Sequence, residues 1–229
     1  MTDDTPTPRI TVTGGPLIVS GGVPLVRASI RVEEKHSADW EFGAAIDTAE
    51  HVQDNGDVWL CRCGHSKTKP FCDLTHREIG FDGTPNAPAG TYAERSESMP
   101  GTGVVVGDDR SICEHAGFCA KHRDNVWKMV SRTDDEAVRQ EMTAMIDRCP
   151  SGALTHRQAP DAENDEPDYP VRIAVVDNAS YWVTGSVPVE IKGGEPMEAR
   201  PRMTLCRCGE SGIKPLCDGS HKKAGFTDS

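Results

Sequence analysis

The chain has 229 residues with 22 glycines, 16 prolines and only 5% aromatic residues, which points to several small, turn-rich units in place of one large core. Its 25 basic and 36 acidic residues give a net charge of −11, which argues against nucleic-acid or anionic-membrane partners and suits docking on a basic protein. Nine cysteines leave a disulfide framework one partner short, so they read as metal ligands in a reducing compartment.

The opening MTDDTPTPRI is acidic and has no basic segment leading into an apolar one, so no secretory signal is expected. Residues 10 to 30 are broken by Gly, Pro, Thr and Arg27 and are too interrupted to span a bilayer; a cytoplasmic protein without a membrane segment is expected. In ITVTGGPLIVSGGVPLVRASI, β-branched residues alternate with Gly and Pro, which predicts short strands leading into the cysteine loop CRCGHSKTKPFCDLTH, residues 61–76. Gly80-Phe81 follows, and DGTPNAPAG at 82–90 marks a break.

The middle stretch holds CEHAGFC at 113–119 and NVWKMV at 125–130, which reads as a strand. A helix is predicted from about residue 134, opened by a capping box of Thr133 and Glu136 and ending before Cys149-Pro150. Val138, Met142, Met145 and Ile146 fall at helical spacing and read as core. APDAENDEPDYP at 159–170, with five acids, three prolines and no basic residue, reads as a solvated linker. Strands are predicted again in RIAVVDNASYWVTGSVPVEI, followed by CRCGESGIKPLCDGSH at 206–221 and Gly225-Phe226.

The third stretch therefore repeats the first. VSGGVPL at 19–25 matches VTGSVPV at 183–189, and both loops run Cys-x-Cys, nine residues on to a third cysteine, then four to a histidine. The first copy carries about nineteen extra residues between its strands and its cysteines, a cheap loop extension. Two cysteines two apart can chelate one metal, and a Cys and His four apart at a helix start can face a second. Pro70 and Pro215 are expected to set the start of that short helix. A structural zinc in the same cage is the alternative, although such sites more often use Cys-x-x-Cys knuckles.

Both loops resemble the CDGSH iron-sulfur signature of the NEET proteins, and the C-terminal copy matches it at every defined position. The resemblance implies that Cys206 and Cys208 hold one iron of a 2Fe-2S cluster and Cys217 and His221 the other. Cys61, Cys63, Cys72 and His76 would do the same in the first copy. Leu74 stands there in the glycine position, and a leucine beside His76 is expected to shield that site from acid relative to its counterpart at Gly219. The other histidines, His36, His51, His65, His122 and His156, need no special role; His65, inside the first loop, is the one to watch.

Cys113, Cys119 and Cys149-Pro150 resemble divergent mono-cluster ferredoxins, with Ala116 where a further cysteine would stand. The resemblance implies a 3Fe-4S cluster, or a 4Fe-4S cluster whose fourth iron takes His115, water or another ligand. Three ordinary buried cysteines are the alternative.

The expected fold is α+β and β-rich: CDGSH units over residues 1–91 and 158–229 paired as an intramolecular pseudo-dimer, with a small α+β ferredoxin-like unit over 92–157. No nucleophile-base pair, phosphate loop or open metal trio appears, so no enzyme is expected. Electron transfer through two histidine-bearing 2Fe-2S clusters and the middle cluster is the first reading. Cluster delivery or redox sensing is the second and a zinc-stapled scaffold the third. The expected partner is a basic redox protein or apo-acceptor, and the chain is expected to be a monomer.

Overall fold

The computed structural model describes residues 7–32 and 37–228. His36 and the first six residues of the acidic N-terminus lie outside the described residues. The first region supplies strands β1 (Arg9–Val12), β2 (Leu17–Ser20), β3 (Leu25–Arg31), β4 (Asp39–Ala45) and β5 (Val58–Leu60), then the one-turn helix α1 (Thr75–Glu78). The middle region holds α2 (Tyr92–Arg95), β6 (Glu97–Gly101), β7 (Val104–Asp108), β8 (Ala120–Lys121), β9 (Asp124–Asn125), α3 (Val126–Met129), α4 (Glu136–Asp147) and β10 (Leu154–Arg157). The third region adds β11 (Arg172–Val176), β12 (Tyr181–Thr184), β13 (Val189–Ile191), β14 (Arg202–Leu205) and α5 (His221–Ala224).

The repeated strands exchange between halves. One sheet runs β13-β1-β2-β5 and the other β14-β12-β11-β3-β4. In each half the first two strands form a hairpin, with Ile10 opposite Val19 and Ile173 opposite Val183. The third strand then crosses over: β13 lies parallel to β1 with Val189 opposite Ile10, and β3 lies parallel to β11 with Leu25 opposite Ile173. The crossings follow Gly21-Gly22 and Gly185-Ser186, all four at positive φ. Pro24 and Pro188 come next, and their carbonyls accept from the amides of Ile173 and Ile10 at 2.9 and 2.8 Å. The two-fold relation expected between copies is therefore built into one chain by strand pairing.

The extra residues of the first copy form β4, which pairs with β3 and extends the second sheet. Its Trp40 stacks on Trp182 of β12, with ring centroids 4.2 Å apart. In the middle region β10-β7-β6 form a three-stranded sheet whose core includes Val104, Val106 and Leu154 with Met142, Met145 and Ile146 of α4. That cluster is continuous with Ile10, Leu17, Leu60, Ile173, Tyr181 and Leu205 of the exchanged sheets, so the middle region packs on both.

Three local expectations are corrected. NVWKMV is a helical turn, because the Asn125 side chain accepts from the Lys128 amide and buries Val126 and Met129 three apart. The long helix starts two residues later than its supposed box: Asp135 caps it, while the Thr133 hydroxyl bonds the Val130 carbonyl and the Thr102 amide. A true capping box of Thr91 and Glu94 opens α2. The acidic linker is also tied down: Glu166 pairs with buried Arg202 at 3.1 Å, and the Tyr169 hydroxyl donates to the Asp147 carbonyl.

Candidate metal centres

Each repeated loop brings its four candidate ligands together as two pairs. Cys61 and Cys63 sulfurs lie 3.7 Å apart and those of Cys206 and Cys208 3.8 Å. Cys72 Sγ and His76 Nδ1 lie 3.4 Å apart, as do Cys217 Sγ and His221 Nδ1. Two thiolates on one tetrahedral metal with bonds of about 2.3 Å stand about 3.8 Å apart, and a thiolate and an imidazole nitrogen about 3.6 Å. All four pairs therefore fit two vertices of a metal tetrahedron, and all nine cysteines are free thiols. Among the described residues the trio of potential ligands with donor atoms within 4.8 Å of one another is Glu114, Cys217 and His221, so neither four-residue set closes round a single ion.

The loops are held by matching hydrogen bonds. Asp73 accepts from the amides of Lys67 and Thr75 at 2.8 and 3.0 Å, and Asp218 from those of Gly212 and Ser220 at 2.8 and 2.9 Å. Burial opposes ionisation of Asp73, but those donors hold its carboxyl down at about 2. Ser66 and Ser211 donate to the carbonyls of Phe71 and Leu216 at 2.6 and 2.7 Å. The residue between the paired cysteines matters too: Arg62 and Arg207, both 2% exposed, bond backbone carbonyls and lie over Phe81 and Phe226. This accounts for the repeated Gly-Phe, a role the sequence did not reveal because the partners lie nineteen residues apart.

Helix geometry differs from expectation. Pro70 and Pro215 follow cis peptide bonds in the turns before Phe71 and Leu216, while α1 and α5 begin only at Thr75 and His221. Cys72 and Cys217 thus precede the helices and are fixed by their amides, which donate to the carbonyls of Trp59 and Thr204 at 2.9 and 3.0 Å.

Each sulfur pair has one acidic member. A hydrogen bond from Cys63 lowers the Cys61 thiol to about 6 against the opposing effect of burial, and Cys208 does the same for Cys206. Backbone amides of Gly64 and Ser66, and of Gly209 and Ser211, also point at those sulfurs. Such thiols are ready to bind metal as thiolates. The two histidines are lowered by burial first and by Lys222 or Arg77 next, His221 to about 4.

The two loops meet back to back. A side-chain carbon added at Gly64 would lie 2.5 Å from the Cys208 carbonyl oxygen, and one at Gly209 2.8 Å from that of Cys63. Tyr181, from the third region, donates toward the carbonyls of Cys61 and Pro70 at 2.9 Å each.

Cys113, Cys119 and Cys149 line one cavity of about 150 Å³ with Arg110, His115, Ala116 and Pro150. The His115 amide donates to Cys113 Sγ at 3.4 Å, and burial pushes the Cys113 and Cys119 thiols up. Among the described residues these three sulfurs do not form a trio of donor atoms within 4.8 Å of one another. The loop then turns toward the C-terminal CDGSH site, where Glu114 reaches Cys217 and His221. Of the remaining histidines, His51 stacks on Phe71, His156 Nε2 lies 2.9 Å from Asp147 Oδ1, and His65 and His122 are exposed.

The shielding expected of Leu74 is corrected. Leu74 is 36% exposed and leaves His76 half-buried, whereas His221 is 5% exposed beneath the middle region. Glycine at 219 answers to that packing, since a side-chain carbon there would lie 2.5 Å from the Glu114 carbonyl oxygen. The better protected histidine is the one beside glycine.

Residues 14–77 and 178–222 match the family described as iron-binding zinc finger, CDGSH type, and residues 99–159 match that described as divergent 4Fe-4S mono-cluster. No curated protein and no solved structure matches the chain. These matches, on a chain that pairs thiol with thiol and thiol with imidazole, define an iron-sulfur protein. The chain carries two CDGSH-type iron-binding regions flanking a divergent 4Fe-4S mono-cluster region. Among the described residues no helix is long and apolar enough to cross a membrane.

Proposed function

We propose that the protein is a one-electron carrier and not an enzyme, with a 2Fe-2S cluster at each CDGSH set and a 3Fe-4S or 4Fe-4S cluster at Cys113, Cys119 and Cys149. The observation that carries this reading is the adjacency of the three ligand sets. Gly64 and Gly209 press the paired cysteines of one loop against those of the other, and Glu114, next to Cys113, reaches Cys217 and His221. When bound, such clusters supply reversible one-electron chemistry whose potential depends on ligand charge and burial. The chain's residues set those terms: His76 and His221 replace a thiolate by a neutral imidazole, and Tyr181, Arg62 and Arg207 fix buried loop carbonyls. The division of each ligand set into two metal-spaced pairs favours two irons over one zinc. With a net charge of −11, the protein partner is a basic redox protein, and the carrier works as a cytoplasmic monomer.

Anaerobic purification with iron, sulfide and zinc analysis, and EPR before and after reduction, tests this. Two 2Fe-2S clusters with a 3Fe-4S or a 4Fe-4S centre give about seven or about eight irons. A colourless protein with stoichiometric zinc would sink the proposal. Small-angle scattering checks the monomer. Cluster transfer, the second reading, is favoured at the first site alone, where His76 is half-buried beside exposed Leu74.

A further inference from the structure

The two CDGSH ligand sets are nearly identical in sequence and differ in what covers them. At the C-terminal site the loop after Cys113 closes over the Cys217-His221 side. Glu114 is 2% exposed, one of its carboxylate oxygens accepts from the Ser180 hydroxyl at 2.6 Å, and the other is buried without a hydrogen-bond partner. The carboxylate lies within 4.8 Å of the ligand atoms of Cys217 and His221. Around it the contact is tight: Lys222 donates to the His115 carbonyl at 2.5 Å, and the Glu114 carbonyl leaves no room for a side chain at residue 219.

At the first site the position matching Gly219 is Leu74, over a third exposed, and Cys72 and His76 are half-buried. The neighbour of His76 there is the backbone at Gly15, where an added side-chain carbon would lie 2.4 Å from His76 Nε2. No acid of the middle region joins that ligand set among the described residues.

We infer that Glu114 is a positioning residue by which the middle region seals the C-terminal CDGSH site, leaving the first site, at Cys72 and His76, as the one open to exchange. The inference rests on the ligand assignment of the proposed function. A carboxylate that fixes metal ligands from outside the coordination sphere commonly alters metal retention by about tenfold or more. Partners that accept iron or a whole cluster would therefore dock at the Leu74-His76 edge.

The test is the loss of visible absorbance from the anaerobic holoprotein challenged with EDTA at neutral pH. Loss to the chelator replaces each iron bond at a cysteine by a bond to a proton from water. Iron passes to the chelator and sulfide leaves as hydrogen sulfide, with no net oxidation. The wild type should lose its CDGSH absorbance in two phases separated by about tenfold in rate. His76→Cys should slow only the fast phase and His221→Cys only the slow one. Glu114→Ala should accelerate the slow phase about tenfold, and Glu114→Gln, which keeps the shape and one carbonyl oxygen, should restore most of it. Gly219→Leu, which forces the loop off, should act like Glu114→Ala; should that variant not fold, the two Glu114 variants still decide. A single phase assigned to both sites, or a slow phase indifferent to Glu114→Ala, would overturn the seal. Indifference of every phase to both histidine changes would instead overturn the ligand assignment, and the seal with it.

Discussion

Trp40 stacks on Phe118, ring centroids 4.8 Å apart and planes 26° from parallel, so a strand of the first CDGSH region holds down the loop that carries Cys119. The same indole donates its N–H to the carbonyl of Arg148, next to Cys149, at 3.2 Å. Its third contact is Trp182, and the extra residues of the first copy thereby clamp both cysteine segments of the middle region. Trp40→Ala should cost about 3 kcal/mol, near the lower end for large aromatic deletions because the ring is half-buried. Urea titration measures that loss, and the middle cluster's EPR signal should fade faster in air than in the wild type. An unchanged decay would show that the clamp stabilises the fold without serving the cluster.

The seam between the CDGSH loops makes a sharper claim. Gly64 has φ 78° and faces the Cys208 carbonyl, whereas Gly193 has φ 76° and faces open space. Gly193→Ala should cost only the left-handed penalty of about 1 kcal/mol, while Gly64→Ala adds a backbone clash and should cost about 3 kcal/mol or more. Thermal midpoints of the two variants check the difference, and equal losses would mean that the loops are not in contact.

His221→Cys is expected to keep its cluster, lower its potential and resist acid better. A thiolate adds negative charge and removes the imidazole nitrogen that protons compete for. Potentiometry followed by EPR reads the first effect and absorbance decay in mild acid the second. An unchanged or raised potential would remove His221 from the ligand set.

Stability of the cluster-free chain should depend on pH through the same residue. Burial lowers His221 from its ordinary 6.5 to about 4, so the folded state favours the neutral ring. That contribution is present in full above about pH 6.5 and is lost as pH falls toward about 4, where the ring charges in the folded state as well. His221→Gln should flatten this part of the profile, measured by urea midpoints at neutral pH and near pH 5 under reducing conditions. An equal slope in the variant would place the titrating group elsewhere.

The two cysteine loops were legible because their candidate ligands lie within sixteen residues, so spacing alone carries the geometry. The strand match of residues 19–25 with 183–189 was legible for the same reason, but the exchange it serves was not. Nothing local distinguishes β3 pairing with its own hairpin from β3 pairing with β11, some 145 residues on. Glu114 was invisible as a site residue because one acid beside a cysteine has no periodic signature, and only the packing of two regions puts it beside His221. The misread NVWKMV shows a different limit: its apolar residues suit a strand, and the Asn125 cap with burial of Val126 and Met129 decides for helix.

Exchange of β3 and β13 has a consequence for how the protein is made. As the chain leaves the ribosome, β3 emerges more than 140 residues before β11, its parallel partner, and β1 waits longer still for β13. The nascent chain therefore carries unpaired strand edges throughout translation of the middle region, whose own three sheet strands and α4 all lie before residue 158. The two halves can close around the middle region only when the last quarter of the chain is released, and with it Arg202, which bonds the Ile146 and Leu154 carbonyls.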